Sequence, residues 1–144
     1  MLKNYLTEET IVIEDNITSW ESAITLASQP LLESNKIKQG YVDEMIDNVK
    51  KLGPYIVISP QIAIAHSRPN GFVNEVSLSL LKLNEPVNFS EEDHEASLIF
   101  VLAAIDNEQH LGILRSLAEK LGDSKNVTRL IEASSKKEII DILN

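Results

Sequence analysis

The stretch "SLIFVLAAI" (97–105) constrains the fold of this chain more than any other segment. It is nine residues long, uncharged and apolar almost throughout. That is too short to span a bilayer as a helix, and it lacks the polar face of a half-exposed strand. The pattern is that of a strand covered on both faces. Such a strand needs a layer of structure on either side, and helical and extended patterns alternate along the rest of the chain. The expected class is α/β: a single domain with a mixed central sheet and helices on both faces.

The other elements follow from periodicity and stop signals. Thr10-Ile11-Val12-Ile13 is a short β-branched run. Thr18 and Glu21 form a capping-box pattern ahead of a helix with Trp20, Ala23, Ile24, Ala27 and Leu31 on one face, which Pro30 is expected to kink or end. A second helix carries Tyr41, Met45, Ile46, Val49 and Leu52 and stops at Gly53-Pro54. "YIVI" (55–58) and "QIAIA" (61–65) read as two short strands broken by Ser59-Pro60, and "EVSLSLLKL" (75–83) alternates with a period of two. After the buried strand, Asp106 and Gln109 suggest a capping box before Leu111, Leu114, Leu117, Ala118 and Leu121, with Gly122 as the stop. A further helix is expected near 124–133, and Ser135 with Glu138 opens the last.

Composition narrows the partners. The 144 residues, 43% hydrophobic and 24% charged, suit one domain over residues 1–144 with a proper core. A net charge of -9, with acidic residues spread along the chain, leaves no basic patch for nucleic acid or an anionic membrane surface. There is no cysteine, so disulfides, thiolate metal sites and a thiol nucleophile are excluded. With neither a leader pattern nor a long apolar span, the expectation is a soluble cytoplasmic protein.

"ISPQIAIAHSRPNG" (58–71) holds the first candidate site residue. Side chains alternate along a strand, so Ile62, Ile64 and His66 share one face, while the small Ala63 and Ala65 leave room on the other. The imidazole ends an apolar row where the strand enters a turn, at a sheet rim of the kind that carries sites in α/β proteins. Arg68 adds a permanent cation two residues on. Read from the residues alone, His66 is either a site residue or a hydrogen-bonded structural histidine. His110 falls near the start of the helix capped by Asp106, where unpaired N–H groups and the helix dipole favour anions, or else is one polar residue of an amphipathic face. His94, in "SEEDHEAS", reads as solvated surface. No two histidines have helical metal-ligand spacing and there is no HExxH, so no metal is expected. A Ser-His-Asp hydrolase lacks its GxSxG elbow, and Ser67 cannot fold back onto the adjacent His66. GxGxxG and GxxxxGK loops are absent, which argues against a bound nucleotide, and no cofactor is expected.

"GPYIVISPQIAIAHSRP" (53–69), "VSLSLLKLNEPVNF" (76–89) and "LIFVLAAID…HLGILRSLAEKLGD" together resemble the enzyme IIA domain of the mannitol/fructose class in the bacterial sugar phosphotransferase system, over almost the whole chain. "GPYIVISP" is most similar to the ascorbate branch. The resemblance implies that His66 accepts a phosphoryl group from the phosphocarrier protein HPr and passes it to an enzyme IIB. It also implies that His110 is the second active-site histidine, which helps to hold the group. Two positions depart from the pattern or fall near it: Ala65 stands where most members have proline, and Lys50 lies roughly where some carry an arginine.

The chemistry agrees with what the resemblance implies. An imidazole that is largely neutral near pH 7 offers a lone pair without a separate base. Phosphoryl transfer passes through a loose transition state with charge on the equatorial oxygens, so His110, Arg68, Ser67 and backbone N–H groups are the expected binding groups. The apolar row before His66 would exclude water and offer HPr and enzyme IIB a small docking face. Peripheral association with a membrane transporter complex and a homodimer are further expectations. The alternatives are a regulatory phospho-acceptor of the nitrogen type, a IIA component for fructose- or mannitol-like substrates, and an interaction module that keeps only the fold.

Overall fold

In the computed structural model, which describes residues 2–90 and 92–144, the strand expected over 97–105 lies at the centre of a five-stranded sheet. The strands are β1 (Ile11–Glu14), β2 (Val57–Ser59), β3 (Gln61–His66), β4 (Ser77–Asn88) and β5 (Glu95–Ala103), in the order β1-β4-β5-β3-β2. β1 runs parallel to β4 and β3 parallel to β5, whereas β4–β5 and β2–β3 are antiparallel, so the sheet is mixed. Helices α1 (Trp20–Glu33) and α2 (Gln39–Leu52) cover one face, and α3 (Asn107–Leu121), α4 (Ser124–Glu132) and α5 (Lys136–Leu143) cover the other.

This two-sided cover explains the patterns in the central strands. Ala96, Ile99, Val101 and Ala103 of β5 face α1 and α2, while Leu98, Phe100 and Leu102 face α3–α5, and all are fully buried. β4 is not the half-exposed strand that its alternation suggests. Leu78 and Leu80 point to one layer, Leu81 and Leu83 to the other, and the polar residues between them are buried as well. Each of these finds a partner, as a buried polar group must. Ser79 Oγ donates to the Ala27 carbonyl of α1 at 2.6 Å, and Lys82 Nζ donates to the Ala133 carbonyl at the end of α4 at 2.8 Å. Ser79 and Lys82 in "SLSLLK" therefore pin helices to both faces.

Capping was legible to within a residue. α3 begins at Asp106, whose side chain accepts from the Gln109 N–H at 2.8 Å, and α5 begins at Ser135, which accepts from the Glu138 N–H at 3.2 Å. α1 is capped by Ser19 rather than Thr18, because the Ser19 hydroxyl is the one that meets the Ser22 N–H, at 3.1 Å. Pro30 neither ends nor visibly interrupts α1, which runs on to Glu33. Placed one turn from the end, proline removes a single i→i−4 bond and the following residues still close the helix. The buried face of α3 also differs from expectation: Ile113, Leu117 and Leu121 are buried, whereas Leu111 and Ala118 are exposed.

Gly53 decides where the chain goes after α2. It adopts φ 86° and ψ −173°, a conformation essentially restricted to glycine, and turns the backbone directly into Tyr55 and β2. Replacing Gly53 with alanine should destabilise the fold by about 1–3 kcal/mol. Urea denaturation checks this, and an unchanged midpoint would mean that the turn relaxes without strain.

Candidate functional site

β3 and β5 are parallel neighbours in register, with His66 opposite Leu102. Both chains therefore leave the sheet at the same rim, β3 into the Ser67–Gly71 turn and β5 through Ile105 into α3. That common exit brings His66 and His110 together although they lie 44 positions apart in the sequence. Their rings stand 5.2 Å apart, centroid to centroid, at 68°, in an edge-to-face arrangement. The Tyr55 ring also packs against His66, at 5.6 Å and 83°, and the Tyr55 hydroxyl donates to the His66 carbonyl at 3.0 Å. The imidazole thus contacts two rings.

The nitrogens of the two histidines are in different situations. His66 Nδ1 lies 2.7 Å from the Ile64 carbonyl, an acceptor only, so Nδ1 carries the proton and Nε2 keeps its lone pair. His110 Nδ1 is buried without a hydrogen-bond partner among the described residues. Burial, and then the neighbouring His66, hold the His110 ring below the ordinary histidine range. An N–H buried at Nδ1 would be orphaned, so the neutral ring carries its proton on Nε2.

Around the pair lies an open cleft of about 350 Å³, walled by Asn48 and Leu52 of α2, Tyr55, the His66–Pro69 segment, and Asn107 and His110 of α3. Arg68 lines it and is exposed. Ser67 also contributes to the wall, but its side chain is committed elsewhere. It is 4% exposed, its hydroxyl donates to Glu44 in a short hydrogen bond and accepts from Asn48 Nδ2 at 3.2 Å. The strand alternation that turns His66 to the α3 layer turns Ser67 to α2. Lys50 is exposed on α2 and is not part of the cleft wall.

Other expectations need correction. Ala63 and Ala65 leave no empty space, since the α1–α2 layer packs against them and both are fully buried. The Ile62 and Ile64 row cannot serve as a docking face, because it lies beneath the α3–α5 layer at 1% and 3% exposure. Among the apolar side chains open to solvent, Leu52, Tyr55, Ile105 and Leu111 lie in the cleft wall or close to its residues, while Ile58 and Phe72 lie outside that wall. His94 sits at the opposite end of the sheet, half-buried in the β4–β5 connection, with Nδ1 2.6 Å from Ser90 Oγ, so it is a turn residue more than a solvated one.

Sequence reasoning missed Tyr41, Glu44, Asn48 and Tyr55. The Tyr41 hydroxyl accepts from the Ser67 N–H at 3.0 Å and donates to the Leu102 carbonyl at 2.7 Å. Its pKa is pushed up to about 12, chiefly by burial, so it remains a donor. Glu44 accepts from Asn70 Nδ2 at 3.0 Å as well as from Ser67. The spacing 41, 44, 48 puts these three on one face of α2, and that polar stripe next to Met45 was the one available signal.

The family model described as "Phosphoenolpyruvate-dependent sugar phosphotransferase system, EIIA 2" matches residues 4–144. The chain belongs to this family. It is an enzyme IIA component, a phosphotransferase that works through a phosphohistidine intermediate. The solution structure of the mannitol-specific cryptic phosphotransferase enzyme IIA from Escherichia coli is 30% identical, covers 99% of this chain and 97% of that one, and superposes with a TM-score of 0.91. The ascorbate-specific EIIA component of Escherichia coli (strain K12) is 26% identical over 99% of this chain and 95% of its own length. A third relative was solved as a complex of mannitol enzyme IIA with phosphorylated enzyme IIB from Escherichia coli; it is 28% identical, with 96% of each chain covered and a TM-score of 0.85. No helix among the described residues is long and apolar enough to cross a membrane.

The lowered proton affinity of His110 has a measurable sign. The unfolded ring titrates near the ordinary value of 6.5 and the folded ring below it, so at acid pH the unfolded state binds more protons. This contribution leaves stability intact above the unfolded value and erodes it as pH falls through the window down to the folded value. His110→Asn should therefore show a shallower fall in melting temperature between about pH 7 and pH 5 than the parent protein. Parallel profiles would contradict the buried, neutral ring.

Proposed function

We propose that this enzyme IIA accepts a phosphoryl group from HPr on His66 Nε2 and hands it to an enzyme IIB, acting as one cytoplasmic phosphocarrier domain over residues 1–144 beside a membrane transporter. One observation carries the reading: the Nδ1 bond to the Ile64 carbonyl leaves Nε2 as the nucleophilic nitrogen, with His110 across the cleft. In the step itself the Nε2 lone pair forms a bond to phosphorus. The bond from phosphorus to its carrier atom on HPr breaks, and its electron pair stays with that atom. No base is needed, because the attacking nitrogen carries no proton. The positive charge that develops on the imidazole is stabilised through Nδ1–H by the Ile64 carbonyl.

The remaining groups act on the phosphoryl oxygens. His110 donates from Nε2 as a neutral ring, Arg68 brings a permanent cation from the exposed side, and backbone N–H groups of the turn and of the start of α3 complete the cradle. Ser67 is the group least able to help, since its hydroxyl is given to Glu44. Exposed Leu52, Ile105 and Leu111 give HPr and enzyme IIB an apolar contact next to the reacting nitrogen. The branch we assign is ascorbate. Its support is the "GPYIVISP" stretch, which brings Tyr55 onto the His66 ring, while the relatives named above include both ascorbate and mannitol components.

Incubation with phosphoenolpyruvate, enzyme I and HPr should add one acid-labile phosphoryl group, read by intact mass. His66→Ala should abolish it, His110→Ala should slow transfer by about 10²–10³, and His94→Ala should change nothing. Labelling that persists in a folded His66→Ala protein would refute the assignment of the acceptor. The branch is tested by onward transfer. An ascorbate-type enzyme IIB should be phosphorylated faster than a mannitol-type one, and equal or reversed rates would withdraw ascorbate while leaving the acceptor in place.

A further inference from the structure

The turn that follows His66 is tied to α2 by a carboxylate. Glu44 is half-buried and accepts from two residues of that turn, Ser67 through its hydroxyl and Asn70 through its side-chain amide at 3.0 Å. Asn70 in turn closes the turn on itself. Its Nδ2 also donates to the Arg68 carbonyl at 3.0 Å, and its Oδ1 accepts from the Phe72 N–H at 2.8 Å. Arg68 thus sits between two residues that Glu44 holds, and its own side chain makes no ion pair among the described residues.

We propose that Glu44 is a positioning residue for phosphoryl transfer, which through Ser67 and Asn70 holds the turn carrying Arg68 at the rim of the His66 cleft. The inference rests on the reading of His66 as the acceptor and extends it to a residue on another element. Glu44 touches neither the phosphoryl group nor His66. A carboxylate placed in the cleft would repel the incoming anion, but this one lies behind the turn, on the α2 side, and two donors compensate its charge. Charge-assisted hydrogen bonds of this kind are stronger than neutral ones and narrow the positions open to the groups that make them. What they narrow here is the backbone of residues 67–70, and with it the point from which the Arg68 side chain reaches toward the phosphoryl oxygens. Ser67 and Asn70 are useful in this role because their side chains are bonded to Glu44, while that of Arg68 makes no such bond. The hydroxyl next to the acceptor histidine is therefore a tether and not a ligand.

The test compares Glu44→Ala, Glu44→Gln, Arg68→Ala and the double variant Glu44→Ala/Arg68→Ala in single-turnover labelling by phosphorylated HPr. Since misplacing a binding group by about 1 Å can cost up to about 10²-fold in rate, Glu44→Ala should slow labelling by roughly ten- to a hundredfold. Glu44→Gln should stay close to the parent rate, because the amide oxygen still accepts from Ser67 and Asn70. The double variant should be no slower than the slower single variant, since Glu44 acts through Arg68 and residues coupled in this way are not additive. Amide exchange at Arg68, Asn70 and Gly71 should accelerate in Glu44→Ala and not in Glu44→Gln, with the sheet unchanged. Multiplicative losses in the double variant, or a Glu44→Gln as slow as Glu44→Ala, would overturn the proposal, as would unaltered exchange in the turn. His66→Ala, run alongside, reports on the acceptor alone, so failure of that reading is seen as persistent labelling of this variant and is not confused with failure of the tether.

Discussion

The hydroxyl of Tyr41 is the point on which the site depends. It is fully buried between α2 and the sheet, where it accepts from the backbone N–H at the end of β3 and donates to the backbone carbonyl near the end of β5. Two parallel strands leaving a sheet at one rim would otherwise each present an unpaired backbone group just where the ladder stops. Leaving such a group buried and unmade costs about 1–3 kcal/mol. One phenol satisfies both and so fixes the separation of the two exits. Much of the cleft is built at those exits, where His66 ends β3. Ser67 and Arg68 follow from β3, and Ile105, the Asp106 cap and His110 follow from β5.

His66 and Ser67 illustrate how a strand end can serve two purposes. Because adjacent side chains point to opposite faces, the imidazole enters the layer occupied by α3 and the hydroxyl enters the layer occupied by α2. The proposed acceptor is then fixed through Nδ1 by the Ile64 carbonyl, which leaves Nε2 free, and the Tyr55 and His110 rings pack against it. The backbone beneath it is fixed separately, from the other side of the sheet. An imidazole pinned only by its own hydrogen bonds would have to give one up to react, and this one does not.

How much of this was legible in the sequence follows from distance along the chain. The strand that ends in His66, the Asp106 cap ahead of His110, the Gly53 stop and the doubly buried β5 all rest on neighbours within a few residues, and all were readable from periodicity and turn chemistry. Tyr41, Glu44 and Asn48 act on residues 19 to 61 positions away, and on α2 they resemble the polar edge of any amphipathic helix. Ser79 and Lys82 were hidden for a related reason. Alternation of polar and apolar residues usually marks a wet face, but here both faces are covered by helices whose carbonyls the polar side chains reach. The resemblance to a known family supplied the pairing of His66 with His110, which spacing alone left open.

The state of His110 gives the site its direction. In the free protein the ring is partly buried, lies beside another imidazole and has one nitrogen without a partner among the described residues, so a second proton on it is disfavoured. With His66 as the proposed acceptor, a neutral ring places no charge beside its Nε2, and the lone pair stays available. A phosphoryl group on His66 would reverse the balance, because an anion at that distance favours donation from His110 Nε2 and adds to the pull of Arg68. In the proposed mechanism the strength of the cradle thus rises with the arrival of the group it holds and falls with its departure. A carrier needs this property. A cradle with a permanent imidazolium would bind the phosphoryl group more tightly and release it to the next protein more slowly, since stabilising the bound state raises the barrier to leaving it.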